Sequence, residues 1–250
     1  MKTPVLEVRD AHMRFGAVHA LKGVSLQAHR GEVLALLGDN GAGKSTLIKC
    51  ISGVHTLTEG DILLDGKKIA LRTPSAARSA GVETVYQDLA LFDNLTPAQN
   101  FYCGRELSFP RWLPRGMRFL ATRRMDREAA SVIDRLKVNL PRFDAPVALM
   151  SGGQRQAIAV ARATVFARKV VILDEPTAAL GLRESRKVLD LVAQLRDEGN
   201  AVILITHNME HVVELADRAV VLRQGNKVGE LTNPTRSNQQ ELVSMIVGAE

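Results

Sequence analysis

Cysteines, aromatic residues and long apolar runs are all scarce in this chain of 250 residues. Its 2 cysteines, Cys50 and Cys103, are too few to staple a fold of this length, so we expect a reducing compartment. The aromatic share of 4% leaves few side chains on which single-stranded nucleic acid could stack. No apolar run reaches the roughly 18 residues that span a bilayer, and the N-terminus becomes charged too early for a secretory signal. We therefore expect a cytoplasmic protein that reaches a membrane only through a partner.

The rest of the composition is that of an ordinary globular protein. Hydrophobic residues make up 46% and charged residues 24%, which excludes a disordered or collagen-like chain. Lys+Arg 33 against Asp+Glu 27 leaves a net charge of +6. This charge favours an anionic partner, and it does not by itself choose among nucleic acid, lipid head groups and a nucleotide.

Three short apolar runs predict the centre of a parallel sheet. Residues 33–37, 170–173 and 201–205 lack polar alternation and are rich in branched side chains, as in strands that are covered on both faces. Between the second and third runs, apolar residues at helical spacing predict a helix over residues 183–198, which Gly199 ends. This strand, helix and strand crossover predicts an α/β fold.

Shorter signals place other elements around that sheet. Thr73 and Thr96 each precede a proline and predict the start of a helix. A small layer of antiparallel strands and hairpins is predicted for residues 5–9, 23–28, 62–64 and 219–222. From about residue 88 to 162 helical patterns dominate. We therefore predict one domain in two parts, an α/β core with the β layer (residues 1–87 and 163–250) and an inserted helical subdomain (residues 88–162).

The first informative motif fits G-x-x-x-x-G-K-[ST] and lies between a predicted strand and a predicted helix. Its residues, with the threonine that follows, are Gly38, Asp39, Asn40, Gly41, Ala42, Gly43, Lys44, Ser45 and Thr46. The glycines let backbone N–H groups converge on phosphate oxygens, Lys44 reaches the β- and γ-phosphates, and Ser45 can ligate Mg²⁺. The alternative is an ordinary glycine-rich turn, but this motif in this context is rare by chance.

Asp174 and Glu175 end the strand predicted from residue 170, at the edge where α/β sheets bind ligands. The first carboxylate can hold Mg²⁺ through water, and the second can polarise the water that attacks a γ-phosphate. The alternative is an acidic pair at a helix start, because Pro176 follows.

A second helix start is open to an anion. Ser151, Gly152, Gly153 and Gln154 precede the strongly helical residues 157–163, and Ser151 is suited to cap that helix. The phosphates of one nucleotide need only one such anion-binding helix start, or cradle. The second cradle therefore suggests contact with a nucleotide that is held by another copy of the chain. The alternative is a helix start that glycine merely loosens.

These motifs stand in the order seen in ATP-binding subunits of ABC transporters, which the sequence resembles over nearly its whole length. The ordered set consists of residues 38–45, Gln87, residues 151–154, residues 170–175 and His207. The resemblance implies a P-loop NTPase of the ABC type, with a RecA-like α/β core, an antiparallel β subdomain and an inserted α-helical subdomain. It also implies a head-to-tail homodimer, or a pair with a homologous ATPase, that holds two ATP molecules between Lys44 of one copy and Ser151 and Gly153 of the other.

The resemblance gives further residues their roles. Phe15 would stack on adenine, Gln87 would sense Mg²⁺ and the permease, and His207 would contact the γ-phosphate. The implied catalytic residues are thus Glu175, His207 and Gln87. The implied metal ligands are Ser45, Gln87 and Asp174. Taken alone, an aromatic residue such as Phe15 is more often part of the core, and His207 could equally cap a helix.

One position departs from the family pattern. The loop after Pro176 usually ends in aspartate, whereas this sequence has Gly181, so a carboxylate that would help to connect the two sites of the dimer is missing. A glycine here, together with residues 85–92, is similar to the importers of ribose, fructose and xylose.

The sequence therefore predicts the ATP-hydrolysing, energy-coupling subunit of an ABC importer, with a monosaccharide as the expected cargo. ATP and Mg²⁺ are the expected cofactors, and closure of the homodimer on ATP would be transmitted to transmembrane permease subunits. A periplasmic sugar-binding protein is an expected indirect partner, and nucleic acid is not an expected partner. The expected location is the cytoplasmic face of the inner membrane, reached through the permease.

Two alternatives share the glycine-rich motif. A soluble ABC-type ATPase that acts on nucleic acid or ribosomes usually has two linked ATPase domains or a long coiled-coil insertion, and neither is visible here. A GTPase needs a guanine-reading Asn-Lys-x-Asp, and the nearest string, at residues 226–229, lacks the final acid.

The stretch from residue 105 to 124 is rich in arginine. Its arginines and aromatic residues include Arg111, Trp112, Arg115, Arg118, Phe119 and Arg123. A solvated, irregular insertion is the favoured interpretation, and contact with the permease or lipid head groups is the alternative. Residues 87–95 are the better candidate for the permease contact, since they join Gln87 to the helical region.

Overall fold

The structure is a computed structural model that describes residues 3–110, 112, 114, 117, 119–136, 138, 140, 142–166, 168–178 and 180–248. Its strands are β1 (Leu6–Phe15), β2 (Val18–Ala28), β3 (Glu32–Leu37), β4 (Glu59–Leu64), β5 (Lys67–Lys68), β6 (Val82–Val85), β7 (Ser108–Phe109), β8 (Phe119–Leu120), β9 (Val170–Asp174), β10 (Ala201–Ile205), β11 (Arg218–Arg223) and β12 (Asn226–Thr232). Its helices are α1 (Lys44–Ile51), α2 (Pro74–Ala80), α3 (Pro97–Tyr102), α4 (Thr122–Arg135), α5 (Gly152–Phe166), α6 (Leu182–Asp197), α7 (Met209–Leu215) and α8 (Gln239–Val247). Short 3₁₀ turns cover Val147–Leu149 and Arg236–Asn238.

The central sheet has the strand order β12-β11-β3-β10-β9-β6 in the described part of the chain. Strands β11, β3, β10, β9 and β6 run parallel, and β12 pairs antiparallel with β11 at one edge. Val202 of β10 pairs with Val33 of β3 on one side and with Val171 of β9 on the other. The three predicted apolar strands and the helix of the crossover are therefore confirmed.

Both faces of the central sheet are covered, which explains why its strands read as continuous apolar runs. Leu34 and Ile203 pack towards α1 and the second sheet. Val33 and Val202 pack towards α3, α4, α5 and α6. Burying each such side chain contributes about 1.5 to 3 kcal/mol, so this two-sided core fixes the sheet that carries the site.

A second sheet, with the order β2-β1-β4-β5 among the described residues, forms the predicted β layer. It confirms antiparallel strands at residues 5–9, 23–28 and 62–64. The predicted placement of residues 219–222 in this layer is wrong. Strand β11 does form the expected hairpin with β12, but it lies in the central sheet, parallel to β3. Residues 219–222 are all fully buried, as a strand covered on both faces requires.

Thr73 and Thr96 cap α2 and α3, as predicted. Thr73 Oγ1 accepts a hydrogen bond from Ala76 N at 3.1 Å. Thr96 Oγ1 accepts from Gln99 N at 3.3 Å, and Gln99 Oε1 accepts from Thr96 N at 2.9 Å, which completes a capping box. The proline that follows each threonine occupies the first helical position, where no N–H is needed.

Among the described residues from 88 to 162, the longer elements are helices, and the sequence did not reveal the short strands β7 and β8. Strands β7 and β8 pair as a short antiparallel ladder, with Ser108 opposite Leu120 and Phe109 opposite Phe119. Two-residue strands are too short to show the alternation from which strands are recognised. Helix α5 runs across the predicted boundary between residues 162 and 163, and the division into subdomains stays a prediction.

The arginine-rich stretch is described only in part. Arg111, Arg115 and Arg118 lie outside the described residues, whereas Arg123, in the first turn of α4, is exposed. Trp112 and Phe119 are exposed as well. Within the described ranges, every helix is too short or too polar to cross a membrane.

Candidate nucleotide-binding site

Four neighbouring parallel strands end at one edge of the central sheet and lead into the predicted site loops. Strand β3 leads into the glycine-rich loop and β10 into His207. Strand β9 leads into Glu175, and β6 leads into Gln87. Because ligands bind at the carboxyl ends of parallel strands, the topology gathers these motifs at one place.

The glycine-rich loop closes around the ammonium group of Lys44. Lys44 Nζ donates to the carbonyl oxygens of Gly38 at 2.6 Å and Asp39 at 3.1 Å. The Asp39 side chain accepts from Asn40 N at 2.7 Å, which fixes the turn. The other predicted residues lie beside it, with Gly41 and Ala42 in the loop and Ser45 and Thr46 in the first turn of α1. The loop therefore presents a cation and the N-terminus of α1 to the same ligand space.

Gly43 lets the loop enter α1. It is the N-cap of that helix and has φ of 103°, in the left-handed region that favours glycine. A Cβ at this position would lie 2.9 Å from the carbonyl oxygen of Ala20. The glycine is therefore required both by its backbone conformation and by the close approach of β2.

Asp174 and Glu175 lie at the end of β9 in different surroundings. Burial raises the pKa of Asp174, and the charge of Glu175 raises it further. Lys44 and Lys49 oppose that shift. Glu175 has φ of 50°, and its backbone N–H donates to the carbonyl oxygen of Ile205 at 2.9 Å. A left-handed conformation in a residue with a side chain is uncommon and is concentrated at functional sites.

His207 lies beside Glu175. Its Nδ1 is 3.0 Å from Glu175 Oε1, and the histidine side chain is 80% exposed whereas the glutamate is only 15% exposed. The cap of α7 is Asn208, whose Oδ1 accepts from Glu210 N at 2.9 Å, so His207 does not serve as that cap. The sheet edge therefore presents a largely buried carboxylate that an exposed imidazole covers.

Gln87 is exposed just beyond β6, and helix α5 holds the segment that follows it. Arg162 of α5 donates to the carbonyl oxygens of Ala90 at 2.7 Å and Leu89 at 3.1 Å. Leu89 and Ala90 have φ of 60° and 45°, so two consecutive residues with side chains are left-handed. One guanidinium group thus connects α5 to the segment after Gln87.

Ser151 caps α5, as predicted. Ser151 Oγ accepts from Gln154 N at 3.3 Å, and Gln154 Oε1 accepts from Ser151 N at 2.9 Å. Ser151 and Gly152 are exposed. Their role in binding a nucleotide stays a prediction.

Gly153, at the start of α5, packs against Glu184 of α6, and this contact makes a testable prediction. A Cβ at Gly153 would overlap Glu184 Cγ and lie 2.9 Å from Glu184 Cβ, whereas a Cβ at Gly152 would meet only Leu180 Cδ2, at 3.9 Å. We expect Gly153→Ala to be less stable than the matched Gly152→Ala by about 1 to 3 kcal/mol, the usual effect of overpacking. Urea unfolding measures this difference, and Glu184→Ala, which removes Cγ but keeps Cβ, should reduce it. Equal stability of the two alanine variants would contradict the contact.

Phe15 ends β1 and is not a core residue. Its side chain is 43% exposed, and its ring contacts His55 edge-on with the ring centroids 5.2 Å apart. The interpretation as core is therefore wrong, because a large part of the ring is exposed to solvent. Its stacking on adenine stays a prediction.

Gly181, where the family usually has aspartate, is the N-cap of α6 and has no side-chain acceptor to offer. A Cβ here would lie 2.9 Å from Glu184 Oε2. An aspartate would thus place a second carboxylate near that of Glu184, and neighbouring like charges are unfavourable.

Some residues that organise the site were missed in the sequence. Arg162 is the only charged residue between positions 156 and 163, so a lone arginine in an apolar stretch was the available signal. Tyr86 Oη donates to Ser52 Oγ at 2.8 Å and joins the end of β6 to α1. His211 bridges two site loops. No local pattern marks either of the last two.

Known proteins of one family resemble this chain along most of its length. The sequence profile of the ABC transporter family matches residues 21–178, more than half of the chain. The xylose/arabinose import ATP-binding protein XylG of Sulfolobus acidocaldarius is 48% identical over 221 residues, which cover 88% of this chain and 85% of that protein. The fructose import ATP-binding protein FrcA of Rhizobium meliloti is 44% identical over 248 residues, which cover 99% of this chain and 95% of that protein.

Solved structures show the same fold. A nucleotide-free ATP-binding cassette from an ABC transporter matches with a TM-score of 0.81 and 24% identity, over 98% of this chain and 97% of that chain. At this identity the match bears on the fold alone. Taken with the family profile and the two relatives, it leads to one conclusion: the chain belongs to the ABC transporter family and is an ATPase of the ATP-binding cassette type.

Proposed function

We propose that this chain is the energy-coupling subunit of an ABC importer whose cargo is a monosaccharide. The observation that carries the proposal is the meeting of Lys44, Glu175 and His207 at one edge of the central sheet. The relatives named as xylose/arabinose and fructose import proteins support the cargo class.

ATP binding begins at the glycine-rich loop. The Lys44 ammonium, which donates to the Gly38 and Asp39 carbonyl oxygens, would exchange them for β- and γ-phosphate oxygens. Backbone N–H groups of the loop and the N-terminus of α1 add partial positive charge. The exposed ring of Phe15 offers a surface for adenine.

Hydrolysis is assigned to the carboxylate at the end of β9. Glu175 accepts a proton from the attacking water, whose oxygen bonds to the γ-phosphorus as the bond from that phosphorus to the ADP oxygen breaks. His207, 3.0 Å from Glu175 Oε1, orients the carboxylate and reaches towards the γ-phosphate. Because Glu175 is largely buried, the proton acceptor is shielded from bulk water.

The same edge offers the oxygen donors that Mg²⁺ prefers. The predicted ligands Ser45, Gln87 and Asp174 fit the ion, because the pKa of Asp174 is raised partly by the neighbouring Glu175 and a cation would relieve that repulsion. When bound there, Mg²⁺ would neutralise charge on the phosphate oxygens.

The second anion cradle is assigned to the ATP of another copy. Ser151 and Gly152 are exposed at the start of α5, where a helix N-terminus attracts phosphate. Two chains arranged head to tail would then enclose each ATP between Lys44 of one chain and Ser151 and Gly153 of the other. Arg162 offers a route for the closing motion, since it joins α5 to the segment after Gln87.

Mixing two variants tests the shared site. Lys44→Ala removes the ammonium, and Ser151→Asp keeps an N-cap acceptor but places a negative charge in the cradle. Each variant alone has two defective sites per dimer, whereas a mixed dimer has one intact site. We expect ATP-dependent dimerisation, measured by sedimentation, to be lost in each variant and restored by mixing.

The control for the cradle is Ser151→Asn, which keeps the cap without adding charge and should dimerise like the wild type. If mixing restores nothing, or if Ser151→Asp alone dimerises normally with ATP, the shared site is contradicted.

Transport is tested by co-expressing this chain with a cognate sugar permease. We expect co-expression of the two to retain the chain at the cytoplasmic face of the membrane and to drive uptake of labelled ribose, xylose or fructose. A periplasmic sugar-binding protein is the proposed donor of the sugar. Co-sedimentation with ribosomes instead of membranes would favour the alternative of an ABC-type ATPase that acts on ribosomes.

A further inference from the structure

His211 of α7 lies between the two loops that carry the proposed reacting side chains. Its Nδ1 is 3.3 Å from Thr177 Oγ1, and its Nε2 is 3.3 Å from Asn208 Nδ2. Thr177 follows Glu175 by two positions, and Asn208 directly follows His207. A single half-buried imidazole therefore spans the loop after β9 and the loop after β10.

The hydrogen bonds around His211 determine its tautomer. Asn208 Oδ1 accepts from Glu210 N at 2.9 Å, so the amide nitrogen of Asn208 is the atom that faces His211. That nitrogen can only donate, so His211 Nε2 must accept. The ring hydrogen is then on Nδ1 and points to Thr177 Oγ1. This arrangement requires a neutral imidazole, because an Nε2–H would oppose the amide hydrogens.

We propose that His211 is a positioning residue for ATP hydrolysis, which as a neutral imidazole ties the loop after Glu175 to the loop after His207. The inference rests on the proposed function, because it assigns the hydrolytic roles to Glu175 and His207. It adds a residue whose role is exerted through its hydrogen bonds with Thr177 and Asn208. Its effect is to keep Glu175 Oε1 and His207 Nδ1 at the observed distance of 3.0 Å.

The surroundings of His211 favour the neutral ring. Burial is the largest cause and lowers its pKa, and the charge of His207 acts in the same direction. Glu210 and Glu214 on its own helix, and Glu175 across from it, oppose the shift. Glu214 is itself paired with Arg186 of α6, so part of that opposing charge is neutralised.

Three variants separate positioning from folding. His211→Phe keeps a ring but removes both hydrogen-bonding atoms, and Thr177→Val replaces the hydroxyl by a methyl group of the same shape. His211→Gln keeps one donor and one acceptor on a side chain that does not titrate. We expect His211→Phe to lower kcat for ATP about tenfold and to keep KM within about twofold of the wild type. A small misplacement of Glu175 and His207 is enough to cause a tenfold loss of rate.

The bridge through His211 also predicts how the other variants behave. Thr177→Val should lower kcat in the same direction, and the double variant with His211→Phe should be no slower than His211→Phe alone, because both break one bridge. His211→Gln should recover kcat to within about threefold of the wild type. As pH falls through the lowered pKa of His211, the wild type should lose activity relative to His211→Gln, since only the wild type can be protonated there.

Unchanged kcat in His211→Phe and Thr177→Val would overturn the inference, as would additive losses in the double variant. The inference would also be overturned if His211→Gln does not recover kcat and Thr177→Val has the kcat of the wild type. The proposed function fails separately, if the wild type shows no ATP hydrolysis that depends on Glu175.

Discussion

Replacing Glu175 by glutamine is expected to lower ATP turnover about a hundredfold or more while ATP still binds. The loss of a positioned general base typically costs a factor of this size. Glutamine has the same shape, so it can keep the contact with His207 and the packing of a side chain that is only 15% exposed. What it removes is the negative charge that accepts the proton of water.

The left-handed backbone conformation of Glu175 should be retained in Glu175→Gln, because it does not depend on the carboxylate. Its φ of 50° and the bond from its N–H to Ile205 O are set by the end of β9 and the adjacent β10, not by the carboxylate. The glutamine side chain should therefore start from the same point. The folded structure and the free energy of unfolding should change little.

Phosphate release at saturating ATP measures the loss, and sedimentation with ATP measures the dimer. If hydrolysis reopens the dimer, the slow variant should accumulate as an ATP-bound dimer. The matched control is Glu59→Gln, an exposed glutamate on β4 of the other sheet, which should keep full turnover. Turnover of Glu175→Gln within about threefold of the wild type would contradict the assignment of the base.

Much of the site was predictable because its motifs are local. The glycine-rich loop needs a strand before it and a helix after it, and all three are contiguous from β3 to α1. Parallel strands place the ends of β3, β10 and β9 at one edge, so the three apolar runs indicate that the loops after them meet. The capping box at Ser151 likewise needs only neighbouring residues.

The missed features depend on contacts between distant segments. Strand β11 carries a local hairpin signal, but its place in the central sheet is set by pairing with β3, at the other end of the chain. The bridge at His211 depends on two loops that meet only when β9 and β10 pair. Local periodicity contains neither contact, and a residue on a helix gives no sign of which loop will face it.

Arg162 shows the same limit and carries the largest expected effect on stability. Its guanidinium group is half-buried, and burial lowers its pKa. It donates two charge-assisted hydrogen bonds, to the carbonyl oxygens of Leu89 and Ala90. Each such bond contributes about 1.5 to 3 kcal/mol. Both carbonyls belong to left-handed residues, whose conformations persist only while the surroundings enforce them.

Arg162→Met keeps the length of the side chain and removes every donor. We therefore expect it to lower the free energy of unfolding by about 3 kcal/mol or more, a large share of the roughly 5 to 15 kcal/mol of a typical domain. Urea unfolding measures this loss. The free energy of unfolding of Arg162→Lys should fall between those of the wild type and Arg162→Met. Lysine keeps the charge, but an ammonium group does not match the planar geometry with which a guanidinium group donates to two carbonyl oxygens.

Arg155→Met is the matched control, because it removes another arginine from the same helix. Arg155 pairs with Asp93, and its side chain is 33% exposed against 60% for the aspartate. A pair this exposed contributes about 1 kcal/mol or less, so the control should remain close to the wild type. If Arg162→Met loses no more free energy of unfolding than Arg155→Met does, the stabilising role of the two hydrogen bonds from Arg162 is contradicted.

The hydrogen bonds from Arg162 also predict which segment of the chain is destabilised in Arg162→Met. Without Arg162, Leu89 and Ala90 can relax to ordinary backbone conformations, so the segment after Gln87 should become sensitive to proteolysis while the glycine-rich loop stays protected. Basal ATP hydrolysis should then fall less than sugar uptake with the permease, because the proposed route from α5 to the permease passes through these two carbonyls. Equal losses of hydrolysis and uptake would mean that Arg162 stabilises the fold without transmitting the closing motion.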